Sequence, residues 1–241
     1  MNQKHNKLIR INKFISNSGI CSRRAADKLI LAGRVYVNNE KIKTLGTKLS
    51  NKDLVKIDGK IINEEKKEYL LLNKPKDYIT TTKAPLNRKT VQDLIKGASN
   101  KRLYPVGRLD RNTTGLLLFT NDGELSRKLT HPSFGIKIIY QVEIDLPIKL
   151  KDIKLIQKGF LLDKEKIKVD KIAILNKSKT NIGIEIHMGK NRIIRKIFEH
   201  FKYKIKKLDR VMMGPITKKN LKRGKWRFLN DSEIRLIKNF S

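Results

Sequence analysis

One polar loop in this 241-residue chain carries the residue types best suited to covalent chemistry. The segment Tyr104-Pro-Val-Gly-Arg-Leu-Asp-Arg-Asn-Thr-Thr-Gly runs directly into the apolar stretch Leu116-Leu-Leu-Phe119 and then a turn at Asn121-Asp-Gly. Loops that feed a rigid strand commonly carry functional groups. Asp110 stands between Arg108 and Arg111, and neighbouring guanidinium groups favour an ionised carboxylate, the form that a nucleophile or base requires. An exposed ion pair or a turn-stabilising aspartate would leave the same local pattern. Farther along, the pattern predicts a helix over 192–201 with Ile194, Ile197, Phe198 and Phe201 on its apolar side. Arg192 and Arg195 lie one turn apart and off that stripe, although Glu199 is spaced to pair with Arg195. Tyr140 falls on an alternating Tyr140/Val142/Ile144 strand, where the default is a core aromatic with its hydroxyl at the edge.

Other chemistries find no support. His5, His131, His187 and His200 are too scattered for a metal cluster, and Cys21 is the only cysteine, so no metal and no internal disulfide are expected. Cys21 lies between Ile20 and Ser22 with no histidine beside it, which suits packing better than reactivity. There is no Rossmann glycine fingerprint, and Gly183 to Lys190 misses the P-loop spacing and its Ser/Thr. No leader and no membrane-length apolar run is apparent, so a cytoplasmic protein without membrane attachment is expected.

Charge points to a polyanion. The chain has 56 Lys+Arg against 23 Asp+Glu, a net +33 with a pI near 10.3. A composition rich in Lys, Asn and Ile also arises from genome bias, so charge by itself favours nucleic acid only modestly. An anionic membrane is the weaker candidate, because no polybasic amphipathic helix with aromatic anchors and no lipidation motif is present.

These residues need elements to position them, and the pattern divides the chain in two. Near the start, Ile11, Phe14 and Ile15 share a helical face that ends at Gly19. Ser22 is placed to cap a second helix with Ala25, Ala26, Leu29 and Ile30 inward. Short strands follow at Val35-Tyr-Val and Val55-Lys-Ile, with turns at Asn38-Asn39 and Asp58-Gly59. Arg24 and Lys28 share a face of the second helix, widened by Arg23 and Arg34, and phosphates suit such a face, though a solvated helical surface is the equal alternative. This sets a first domain at 8–60, a linker at 61–68 and a second domain at 69–241. The second is read as α+β. Its strands are Tyr69–Leu72, Leu116–Phe119, Tyr140–Ile144 and the alternating Ile182/Ile184/Ile186/Met188, and its helices include one capped by Thr90 that bears Val91, Leu94 and Ile95.

The first quarter of the chain resembles the alpha-L RNA-binding motif, through Ile11-Asn-Lys-Phe-Ile, Gly19-Ile-Cys-Ser-Arg-Arg-Ala-Ala-Asp and Gly33-Arg-Val-Tyr-Val-Asn, departing at Asn39, where relatives usually place Gly. The long loop around Asp110 resembles the active-site signature of the RsuA/RluB family of ribosomal-RNA pseudouridine synthases. Leu71-Leu-Asn-Lys-Pro, His131-Pro-Ser with Tyr140, Gly189-Lys-Asn-Arg-Ile-Ile-Arg-Lys, Leu208-Asp-Arg-Val and Leu221-Lys-Arg-Gly-Lys-Trp-Arg-Phe-Leu extend the likeness, most closely to the RluB branch. Ile138 and Ile193 depart from the usual polar or basic residue and from Gln or Glu.

The resemblance implies an α+β synthase domain with a mixed, largely antiparallel sheet behind a small RNA-binding domain. It implies Asp110 as the catalytic carboxylate, Arg195 as its ion-pair partner and Tyr140 stacked on the target base. Lys74 and Pro75 would support the cleft, with Lys74, Arg108, Arg111 and Arg192 meeting RNA; a solvated strand end is the other reading of Lys74. Trp226 is expected in the core. No cofactor is implied, and the expected partner is ribosomal RNA, preferably large-subunit, or an assembling ribosomal subunit, met by a monomer. Small-subunit RNA and a noncatalytic assembly factor are the alternatives.

Overall fold

The computed structural model describes residues 8–82, 88–187 and 192–240. The described chain forms two compact units. The first ends at Lys67 and includes Ser99–Arg102, and the second begins at Glu68 and holds the rest.

In the first unit, helices Ile11–Asn17 and Arg23–Leu31 pack Ile11, Ile15, Ala26 and Ile30 into a core closed by Val35, Leu49, Val55 and Ile57. Ser22 caps the second helix by accepting from the Ala25 amide at 3.2 Å. A four-stranded sheet completes the unit, and its Asn38-Asn39 turn has both residues at positive φ, as the asparagine pair requires. The expected linker at 61–68 needs correction. The Asp58-Gly59 turn folds Lys60–Ile61 back as a strand on Val55–Ile57, and Ile62 is buried in this core. Ile61 continues the hairpin and Ile62 fills the core, and the Glu65 amide still donates to the Asn17 carbonyl at 3.0 Å, so the chain stays with the first unit past Lys60, to Lys67.

The second unit is built on one mixed sheet. Its main path runs Lys171–Ile174, Asn181–Ile186, Ile138–Ile144, Ile205–Met213, Thr114–Thr120, Tyr69–Lys74 and Trp226–Phe228. Neighbours on this path are antiparallel except at one junction, where Ile205–Met213 runs parallel to Thr114–Thr120 and pairs at only Asp209↔Thr114 and Arg210↔Gly115. Thr114–Thr120 and Tyr69–Lys74 are buried along their whole length, which accounts for their near-continuous apolar runs. Separate cores lie to either side. One gathers Val142, Ile182, Ile184, Ile194, Ile197 and Phe198, and others form on the two faces of Leu70-Leu-Leu and Leu116–Phe119.

The junction is therefore the thinnest part of the sheet. Gly115 makes it possible, since a β-carbon there would strike the backbone nitrogen and oxygen of Arg210. The expected helix after Thr90 is only a single 3-10 turn, Asp93–Ile95. Thr90 does not cap it; its amide and hydroxyl instead donate to the Asp93 carboxylate at 2.6 and 3.0 Å, closing a tight turn that Gly97 ends at φ 78°.

Candidate active site

The loop of Asp110 is held from beneath by a buried cation. Lys74 ends the Tyr69–Lys74 strand with no exposed surface, and its ammonium donates to the carbonyls of Pro75 (3.0 Å), Asp110 (3.1 Å), Arg111 (3.2 Å) and Thr113 (2.9 Å). Three of those carbonyls belong to the loop, so one side chain ties its irregular backbone together: it adds a second donor at Asp110 and Arg111 and meets the carbonyl of Thr113. Burial pushes the ammonium down to about 8, against the opposing pull of the Asp110 and Asp77 carboxylates. The expected RNA contact by Lys74 is thereby corrected: a sealed ammonium with four backbone partners reaches no phosphate, and it is not a solvated strand end either.

Two more ties fix the loop. The Leu109 amide donates to the Thr80 hydroxyl at 3.2 Å, and that hydroxyl donates to the Leu109 carbonyl at 2.7 Å. Arg111 pairs with Asp77 at 3.0 Å, and the Asp77 amide donates to the Arg111 carbonyl at 3.0 Å. Within the loop, the Thr113 amide donates to the Asp110 carbonyl at 3.1 Å.

With its backbone fixed, Asp110 turns its carboxylate to a different pair of cations. Arg195 Nε stands 3.5 Å from Oδ2, and Arg192 Nε stands 3.9 Å from the same oxygen. Arg195 also donates from Nη2 to the Thr113 hydroxyl at 3.2 Å, which ties the helix to the loop a second time. That helix, Ile193–His200, turns Ile193, Ile194, Ile197 and Phe198 inward. The stripe orients it, and Arg195 emerges toward Asp110 rather than along the helix to Glu199. Arg192 precedes the helix at φ 52°, a left-handed residue that starts the turn.

A cavity of about 570 Å³ opens beside these groups. Asp110, Tyr140, Arg192 and Arg195 all line it, joined by Arg108 and His131. Its apolar wall includes Val106, Ile138, Ile186, Leu208 and Met213, and Arg210 is part of the same lining. One carboxylate, one half-buried phenol ring and several cations around a space lined by both polar and apolar groups suit a flat, polar base attached to a phosphate chain. Among the described residues no group of three or more His, Cys, Asp or Glu is placed to hold a metal ion.

Other expected site residues lie elsewhere or differ. Arg23, Arg24 and Lys28 are exposed on the first unit's second helix, with Arg23 donating to Asn12 at 3.3 Å. Arg34 is held by a bidentate pairing with Asp58, whose carboxylate lies below its usual range because of the Arg34 hydrogen bonds. Gly189, Lys190 and Asn191 of the third motif fall outside the described residues, as does Met188. Trp226 is not in the core. It is 36% exposed, edge-on to Phe228 at 5.9 Å, because it stands on the edge strand of the sheet.

Pattern reading missed Thr80, Thr113 and Arg210. Thr80 and Thr113 act through single hydroxyl bonds, which leave no periodic trace. Arg210 left one: a charged residue two positions from Leu208 on an otherwise inward-facing strand stretch.

Residues 68–200 match the RNA pseudouridylate synthase family, and residues 9–55 match the S4 domain. An uncharacterized RNA pseudouridine synthase of Aquifex aeolicus is 41% identical over 230 residues, covering 94% of this chain and 92% of that protein. Ribosomal large subunit pseudouridine synthase B of Bacillus subtilis is 34% identical over 234 residues, covering 95% of each. Dual-specificity RNA pseudouridine synthase RluF of Escherichia coli is 34% identical over 240 residues, covering 97% of this chain and 81% of that one. A pseudouridylate synthase crystal structure superposes with a TM-score of 0.69 at 27% identity, covering 95% of this chain and 99% of the other.

Proposed function

Because the chain belongs to the RNA pseudouridylate synthase family and carries an S4 domain ahead of the synthase fold, we propose that it isomerises a specific uridine of large-subunit ribosomal RNA, with Asp110 as the catalytic carboxylate. The observation that carries the site is the Asp110 carboxylate beside Arg195 and Arg192 at the wall of a cavity roomy enough for a nucleotide. The choice of RNA is supported by end-to-end similarity to the large-subunit synthase of Bacillus subtilis. The enzyme works without a cofactor, as a cytoplasmic monomer acting on the RNA or on an assembling subunit.

The reaction is an isomerisation. The bond from the base nitrogen to the sugar breaks, uracil turns within the cavity, and carbon five bonds to the same sugar carbon. Asp110 opens the sequence by attacking the sugar or by removing a sugar proton. Arg195 and Arg192 orient the carboxylate, and Tyr140 stacks on uracil so that the detached base stays in place. A uracil in paired or stacked RNA must first be extruded, at roughly a few kcal/mol, which phosphate contacts offset. Arg108 stands at the same cavity for the flanking phosphates, while Arg23, Arg24, Lys28 and Arg34 serve the RNA farther along.

The test is tritium release from transcripts carrying uridine labelled at carbon five, offered separately as large- and small-subunit RNA. Stoichiometric release from the large-subunit transcript alone is expected. Release from the small-subunit transcript alone would reassign the substrate.

A further inference from the structure

Arg210 is 3% exposed and lines the floor of the cavity that Asp110 borders. Its Nε donates to the Leu116 carbonyl at 2.7 Å, across the thin junction of the sheet. Its Nη2 is sealed from solvent and has no acceptor. Among the described residues no carboxylate stands within ion-pair distance of it, whereas Arg192 and Arg195 share Asp110. Arginine does not shed its proton in proteins, so this is a buried positive charge without a counter-charge. Such a group is costly to keep, and it is not needed for the bond to Leu116, which a shorter donor would make.

Its position suggests what balances it. Tyr140 and Arg210 are direct partners across the antiparallel pair Ile138–Ile144 and Ile205–Met213, so the two side chains stand on one face of the sheet. A base stacked on Tyr140 has its edge toward the guanidinium. We propose that Arg210 stabilises the departing uracil electrostatically; this rests on Asp110 acting on a uridine seated in this cavity. When the bond between base nitrogen and sugar breaks, its electron pair leaves with uracil, and the negative charge spreads over the ring nitrogens and both carbonyl oxygens. When carbon five bonds to the sugar that charge returns, and the proton on carbon five is finally lost as the freed ring nitrogen gains one. Uracil is neutral at the start and at the end, so the floor cation favours only the state between. That is the differential binding on which rate depends.

The test uses the full-length protein with Arg210→Lys and Arg210→Ala. The lysine ammonium still reaches the Leu116 carbonyl and lacks the second arm, so Arg210→Lys is expected to melt like the native protein and bind RNA within about two-fold. Its single-turnover rate should nevertheless fall about 100-fold, the scale of one lost preorganised donor. Added methylguanidinium should restore part of the rate to Arg210→Ala and leave Arg210→Lys unchanged. A folded Arg210→Lys that turns over within about three-fold of native would overturn the inference and leave Arg210 a strand tie. Asp110→Asn runs alongside: label release at the native rate from that variant would remove the premise, and the inference with it.

Discussion

The two sides of the Asp110 loop use cations in opposite ways. Beneath the loop, Lys74 is fully buried and binds only backbone carbonyls. Above it, Arg192 and Arg195 meet the carboxylate itself and border open space. The first arrangement places a backbone, and the second places a charge. A lysine suits the first task because its compact ammonium donates in three directions, and arginine suits the second because its planar fork holds a carboxylate in one orientation.

That division can be broken from either side. The largest effect is expected at the carboxylate. Arg195 is 19% exposed and 3.5 Å from Oδ2, against 60% and 3.9 Å for Arg192. Arg195→Gln should therefore lower single-turnover rate about 10³-fold and Arg192→Gln about ten-fold, with RNA affinity little changed by the first. Equal losses from the two would show that they act as interchangeable surface charges.

A smaller loss is expected underneath. Lys74→Met removes the donor that four carbonyls share, two of which keep only a backbone amide, destabilising the protein by about 2 kcal/mol in urea titration and misplacing the loop enough to slow turnover about 100-fold. The pH dependence separates this role from the other. Between about 8 and the ordinary 10.5 the unfolded chain holds the Lys74 proton and the folded chain does not. Stability contributed by this group therefore rises with pH through that window and is flat below it. The stability of the native protein relative to Lys74→Met should grow from pH 8 to pH 10; a difference constant with pH would place Lys74 in water.

The smallest effect on chemistry belongs to the first unit. Replacing Arg24 and Lys28 by Gln should leave the bound-state rate alone and weaken RNA binding, reducing the log-log salt slope by about 1.4 if each meets one phosphate of a single strand. An unchanged slope would make that helix face merely solvated.

Much of this arrangement was legible beforehand, for definable reasons. Periodicity located the first unit's helices and the buried Leu116–Phe119 run, and the family resemblance singled out Asp110, Tyr140 and Arg195, which the fold brings to one cavity. Depth was not legible. Lys74 and Trp226 exchange the environments that their types suggest, because the lysine lies under a loop that returns over it and the tryptophan stands on an edge strand. The turn after Thr90 was misread for a related reason: Val91, Leu94 and Ile95 have helical spacing, yet the local bonds from Thr90 to Asp93 stop the helix before it begins.

In the proposed reaction one carboxylate, placed by Lys74 and oriented by Arg195, performs the chemistry while basic residues elsewhere hold RNA. Tritium release under single turnover by Asp110→Asn, which keeps size and loses only charge, tests it most directly. The expected result is release reduced by at least about 10⁴-fold with RNA binding within about three-fold of native. Release at a comparable rate would contradict it and move the reaction to another group in the cavity.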